Sequence, residues 1–160
     1  MIPYTLDNIP GLFEKRIFIG GNYDNCAVLR EIADIVRELG YQPIIALDFD
    51  ASKEEVRSYD LRLLSNCKYA IFEISFSDGH LIEIERSGDY KVQALLVYQV
   101  RDDKREPPPG ASLMVLGTAH PRFGYLDFKE LGEYLLTFLP QDRQTIPKTL
   151  KIAFNDEDFE

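Results

Sequence analysis

The residues of this chain best suited to chemistry gather in one stretch, Ser75-Phe76-Ser77-Asp78-Gly79-His80-Leu81-Ile82-Glu83-Ile84-Glu85. It follows an apolar run, Tyr69-Ala70-Ile71-Phe72-Glu73-Ile74, that reads as a buried strand. A strand that ends in a small, glycine-containing turn and re-enters as a helix leaves unpaired N–H groups at the helix start. Those groups can hold an anion or a sugar hydroxyl. Glu83 falls in that first helical turn, above the carboxyl end of the strand, where open α/β sheets bind ligands. A carboxylate so placed can attack an electron-poor carbon or stabilise positive charge on it.

Two further features bear on the same place. Gly20-Gly21-Asn22-Tyr23 closes another apolar run and permits close backbone approach to a ligand. It lacks the Gly-Lys-Ser/Thr of a P-loop and the spacing of a GxGxxG fingerprint, and a tight strand-to-helix turn accounts for it equally well. Asp60, within Ser58-Tyr59-Asp60-Leu61, reads as a helical acid whose helix follows the second strand.

The elements that must position these residues alternate strand and helix. Arg16-Ile17-Phe18-Ile19-Gly20 is a first strand; residues 24–39 carry apolar side chains at helical spacing, with Gly40 as the C′ residue. A second strand spans 42–48, and Ser52-Lys53-Glu54-Glu55 is a capping-box signature opening the helix of Asp60. A third strand covers 68–75, a short helix 80–88 and a fourth strand 92–100. Arg101 to Gly110 is a loop by composition, a fifth strand is expected at 112–116, and a last helix at 128–139. This alternation predicts a flavodoxin-like α/β fold, a parallel sheet of four or five strands in the order 2-1-3-4-5 with helices on both faces. The crevice of that fold lies between the ends of the first and third strands, which sets Gly20-Gly21-Asn22-Tyr23 opposite Asp78-Gly79-His80. The domain is expected over 16–140, preceded by an extension (1–15) and followed by an acidic tail (141–160).

Composition narrows the partners. With 160 residues, 45% hydrophobic, the chain fits one folded domain. Its 27 acids against 18 bases leave a net charge of −9, which disfavours a polynucleotide partner but not a small anionic ligand. No apolar run is long enough to span a membrane and no signal-peptide core opens the chain, so a cytoplasmic location is expected. Cys26 and Cys67 follow no metal or disulfide pattern and read as small buried hydrophobes. His80 and His120 have no partnering ligand motif, so no metal and no cofactor are expected.

Taken together, residues 16–100 resemble the nucleoside 2-deoxyribosyltransferase family and its nucleotide N-hydrolase relatives. Arg16-Ile17-Phe18-Ile19-Gly20-Gly21 is similar to that family's opening strand and turn, and Tyr59-Asp60-Leu61 with Ser65-Asn66-Cys67-Lys68-Tyr69-Ala70-Ile71-Phe72 to its Asp-bearing helix and third strand. Asp78-Gly79-His80-Leu81-Ile82-Glu83-Ile84 resembles its Asp-Gly-Ser/Thr-x-x-Glu-Ile-Gly signature, in which the Glu is the nucleophile. Three positions depart from the pattern: His80 replaces Ser/Thr, Glu85 replaces Gly, and Ser77 stands where the family often has a further Asp.

The resemblance implies cleavage or transfer of an N-glycosidic bond of a nucleoside, nucleotide or NAD-like ligand. Such a reaction builds oxocarbenium-like charge at the anomeric carbon, which Glu83 would stabilise or capture. Asp60 would hold sugar hydroxyls, and Asp78 or His80 would protonate the leaving base. Gly20, Gly21, Asn22, Tyr23, Ser77, Gly79 and His80 would line the substrate. Glu85, about 200° around the helix from Glu83, would stand outside the site. A homodimer or larger assembly is also implied, with the tail and its Phe154 and Phe159 reaching towards a neighbour. The alternative is a nucleotide-binding or TIR-like signalling module that keeps the crevice without turnover; TIR domains share the fold and a crevice Glu, and they cleave NAD.

Overall fold

The computed structural model describes residues 4–49, 56–75, 81–100 and 120–140. Among the described residues five strands form one sheet: β1 (Arg16–Gly20), β2 (Gln42–Ile44), β3 (Tyr69–Glu73), β4 (Gln93–Gln99) and β5 (Arg122–Tyr125). Their order is β2-β1-β3-β4-β5 and all four pairings are parallel, the flavodoxin-like arrangement expected from the alternation. Among the described residues four helices accompany them: α1 (Cys26–Glu38), α2 (Val56–Ser65), α3 (Leu81–Asp89) and α4 (Phe128–Phe138). None of the described helices is long and apolar enough to cross a membrane.

Side chains alternate across a strand, and here both faces are apolar because both are covered. Ile17, Ile19, Tyr69 and Ile71 pack with Leu29, Ile32 and Val36 of α1 and Leu131 and Leu135 of α4. Phe18, Ala70, Phe72 and Leu96 pack on the opposite face with Tyr59, Leu63 and Leu64 of α2 and Ile84 of α3. α1 ends as its sequence indicates: Gly40 has φ +89° and donates its N–H to the Arg37 carbonyl.

Three expectations need correction or relocation. The second strand stops at Ile44 rather than running to 48, because its ladder with β1 ends at the Phe18–Ile44 pair. Residues Ala46–Asp48 then form a 3-10 turn closed by N–H bonds from Asp48 and Phe49 to the carbonyls of Ile45 and Ala46. The fifth strand of the sheet is Arg122–Tyr125; the segment 112–116 lies outside the described residues, as do the loop 101–110, the capping box at 52–55 and the tail. Cys26, read as buried, is exposed at the start of α1, whereas Cys67 is buried as expected.

Ahead of β1 the Arg16 side chain ties the chain back to the sheet. Arg16 donates to the carbonyls of Ile9, Pro10 and Gly11 at 3.0, 3.0 and 2.7 Å, and to that of Asn66 at 3.2 Å. Further along, Tyr4 donates its N–H to the Asp48 carbonyl at 3.0 Å.

At the far edge, Gly124 of β5 lies opposite Tyr98 of β4. A Cβ there would meet the Tyr98 ring and a Val100 methyl, both at 2.7 Å. Gly124→Ala is therefore expected to lower stability by about 1–3 kcal/mol, the usual range for overpacking. Chemical denaturation measures it, and an unshifted midpoint would mean that the Tyr98 ring swings aside freely.

Candidate active site

The site is built where β1 and β3 part company. β2 lies on one side of β1 and β3 on the other, so the helices leaving the two strands diverge at their carboxyl ends. Gly20 pairs with Phe72, and a Cβ at Gly20 would lie 2.9 Å from the Phe72 ring. One residue on, a Cβ at Gly21 would lie 2.6 Å from a Leu29 methyl and 3.2 Å from the Glu73 carbonyl oxygen. The space that side chains would take at both positions is filled by the protein, so both glycines serve the close approach of this turn to β3 and α1. Asn22 then caps the next turn, its side-chain oxygen accepting from the Asp24 N–H at 2.9 Å.

Tyr23 spans the divergence. Its ring packs against the α1/α4 core, while its hydroxyl donates a long hydrogen bond, 3.4 Å, to Asp60 of α2, a helix on the opposite face of the sheet. Burial, followed by the negative fields of Asp60 and Glu83, raises the proton affinity of the Tyr23 hydroxyl well above its ordinary range. The phenol therefore stays protonated near neutrality, and both carboxylates lie within electrostatic reach of it.

Asp60 and Glu83 are each 4% exposed, so neither is a solvated surface acid. Asp60 sits in mid-helix beside Tyr59, which belongs to the core under α2. Glu83 occupies the first turn of α3, and the next residue, Ile84, is fully buried in the same core. Two contacts anchor that turn: the Ser87 hydroxyl donates to the Glu83 carbonyl at 2.9 Å, and His120 Nε2 lies 2.9 Å from the Ile84 carbonyl. Glu83 Oε2, although buried, has no hydrogen-bond partner among the described residues. A buried carboxylate oxygen left unmatched is costly, and such a group calls for a physical account.

A third buried acid has no part in the sequence reading beyond its place in the apolar run. Glu73, the last residue of β3, is 5% exposed. Its Oε1 accepts from the Ser75 N–H at 2.6 Å, and its Oε2 accepts from the Tyr125 hydroxyl of β5. The Ser75 hydroxyl in turn accepts from the Gln99 N–H at 2.8 Å. Burial raises the proton affinity of Glu73 while these hydrogen bonds lower it, and burial prevails. The only sequence signal for this network is an acid where the strand is otherwise apolar.

Ser77, Asp78, Gly79 and His80 lie outside the described residues. Tyr23, Asp60 and Glu83 are therefore the expected site residues that the described structure brings together. Among the described residues no group of three His, Cys, Asp or Glu side chains could hold a metal ion.

No protein-family model matches the sequence, and no curated protein matches it. Solved structures do match its shape. A 2-deoxyribosyltransferase from Bacillus psychrosaccharolyticus superposes with a TM-score of 0.56 at 14% identity, over 79% of this chain and 97% of that one. The CMP N-glycosidase of Clostridium botulinum superposes with a TM-score of 0.52 at 17% identity, over 78% of this chain and 100% of that one. The chain has a nucleoside 2-deoxyribosyltransferase-like fold. At these identities the likeness is one of fold.

The Glu73 carboxyl has a consequence for stability. Its folded-state proton affinity exceeds the ordinary one, so its contribution is fully present below the usual glutamate value of 4.5 and is lost as pH rises through the higher folded value. Glu73→Gln, which cannot ionise, lacks that loss. The difference in denaturation midpoint between variant and wild type should move in the variant's favour as pH rises from 4 to 8. Parallel curves would show that Glu73 titrates at its ordinary value.

Proposed function

We propose that the protein cleaves or transfers the N-glycosidic bond of a nucleoside, nucleotide or NAD-like ligand at the crevice lined by Tyr23, Asp60 and Glu83. The observation that carries this reading is the buried Glu83 oxygen without a hydrogen-bond partner among the described residues, together with a second buried acid, Asp60, whose field reaches the same Tyr23 hydroxyl. Positive charge developing at an anomeric carbon is a suitable complement to such a pair. The fold shared with a deoxyribosyltransferase and a CMP N-glycosidase supports the same chemistry.

In this mechanism the bond from the anomeric carbon to the base nitrogen breaks as a Glu83 oxygen bonds to that carbon or stabilises its charge. The base departs with the bonding electrons and takes a proton, for which Asp78 and His80 are the candidates. Water or a second base then attacks the same carbon and frees Glu83. Asp60 holds sugar hydroxyls, and the protonated Tyr23 hydroxyl donates within the acidic crevice. Ser77 and Glu85, at positions where the resembled family carries Asp and Gly, support a second reading, a site that binds such ligands without turnover.

Incubation with a panel of nucleosides, nucleotides and NAD, with free base separated and quantified, tests the reading. Because Glu83 is buried rather than in an open polar turn, the isosteric Glu83→Gln is the informative variant. It should lose at least ~10³-fold in rate while staying folded, as expected for a nucleophile or charge stabiliser. Asp60→Asn should act mainly on KM, and Glu85→Ala should be tolerated. Wild-type activity in Glu83→Gln would overturn the assignment; binding without base release would favour the second reading. The proposal also carries a homo-oligomer, in which a neighbour completes each site. Light scattering at micromolar concentration should give at least a dimer, and a monomeric mass would contradict it.

A further inference from the structure

We propose that His120 is a positioning residue of the site, its imidazole holding the first turn of α3 and so fixing where the Glu83 carboxyl is presented. The proposal rests on the assignment of Glu83 above, and it gives His120 no contact with the reacting atoms. The imidazole Nε2 lies 2.9 Å from the carbonyl oxygen of Ile84, the residue after Glu83. A carbonyl only accepts, so the ring nitrogen that meets it carries a proton. The neutral Nε2–H tautomer and the imidazolium both make this bond, so the hold does not require a particular charge.

α3 depends on such a hold. It has nine residues, with Ser87 and Gly88 in its last turn, and isolated helices shorter than about 12–15 residues are marginal in water. Its far end is tied by the chain itself: Lys91 and Val92 donate to the carbonyls of Gly88 and Ser87 at 3.2 and 2.8 Å, just ahead of β4. At the end that carries Glu83, Ile84 is fully buried in the core shared with α2. Apolar burial is non-directional, so it sets the depth of α3 but resists slide and rotation poorly. A hydrogen bond is directional and resists both. The Ser87 bond to the Glu83 carbonyl lies within α3 and moves with it.

His120 belongs to another element. Its neighbour Pro121 accepts the N–H of Leu96, a fully buried residue of β4, at 2.9 Å, and β5 begins at the next residue. From β4 to Glu83 the path therefore runs through Pro121, His120 and Ile84 without a gap. Tyr23 and Asp60 stand on other elements, the turn after β1 and α2. A shift of α3 would move Glu83 against both of them.

His120→Gln keeps an N–H donor near the position of Nε2, whereas His120→Leu fills the space without one. The Leu variant should lose up to about 10²-fold in kcat, the cost of misplacing a reacting group by roughly an ångström, with KM little changed because Tyr23 and Asp60 stay in place. His120→Gln should restore most of kcat. Its pH–rate profile should match that of the wild type, because a Gln cannot carry a proton; a lost limb would make His120 a proton carrier and overturn the proposal. Rates are compared well below each variant's melting temperature, and His120→Asn, whose shorter amide falls short of the carbonyl, serves if the Leu variant does not fold.

Two measurements do not depend on turnover. The chain has two histidines, so nitrogen NMR of the imidazoles, assigned with His120→Gln, reads the ring directly. A neutral His120 ring should carry its proton on Nε2, and a proton on Nδ1 instead would overturn the contact. Amide exchange at Ile84 and Ser87 should accelerate in the Leu variant and recover in the Gln variant, while Leu29 and Ile32 of α1 stay protected. Exchange that rises equally everywhere marks a merely structural role and overturns the proposal, as does unchanged exchange in α3 or unchanged kcat in the Leu variant. If the wild type releases no base from any ligand, the enzymatic reading fails, and the NMR and exchange measurements still decide whether His120 holds the turn of Glu83.

Discussion

Because β1 pairs in parallel with both β2 and β3, every strand end that follows a βα unit must appear at the same edge of the sheet, and both faces must be covered by helices. Two apolar cores result, one on each face of the sheet. Polar side chains of the central strand are confined to its ends, and the helices that leave β1 and β3 open a gap at the carboxyl edge. The turn of Gly20 and Gly21, the exit of β3 and the first turn of α3 are brought there by this constraint alone.

Among the described residues three acids are buried, and the sheet sorts them. Glu73 points to the α1/α4 side, where Tyr125 and Ser75 satisfy both of its oxygens. Asp60 and Glu83 come from the α2/α3 side, and Glu83 retains a buried oxygen without a partner among the described residues. Tyr23 reaches between the two sides, its ring in one core and its hydroxyl against Asp60. Burial dominates the titration of both Tyr23 and Glu73, which keeps the phenol protonated and opposes ionisation of the carboxyl. An acid whose two oxygens are satisfied and an acid with a buried oxygen left without a partner among the described residues are different states of the same residue type, and their neighbours decide between them.

Much of the architecture is legible along the chain. β1 stands where its apolar run ends in Gly20, α1 stops at Gly40, and the periodicity of Leu131, Tyr134, Leu135 and Phe138 marks α4. The strand order follows from the alternation, because each helix must return the chain to start another parallel strand. The second strand is shorter than its apolar run because an edge strand extends only as far as its neighbour's ladder, and that ladder ends at Phe18.

The sequence by itself determined the fold class and the place of Glu83 in the first turn of the helix that follows β3, since these depend on local periodicity and on the alternation of strand and helix. Only the tertiary structure decided that Asp60 and Glu83 are buried, that the glycines make room for Phe72, Leu29 and Glu73, and that Glu73 meets Tyr125 fifty-two positions away. Burial and pairing between distant residues depend on which surfaces the sheet brings into contact. An acid in an amphipathic helix has the same local signature whether it faces water or a crevice.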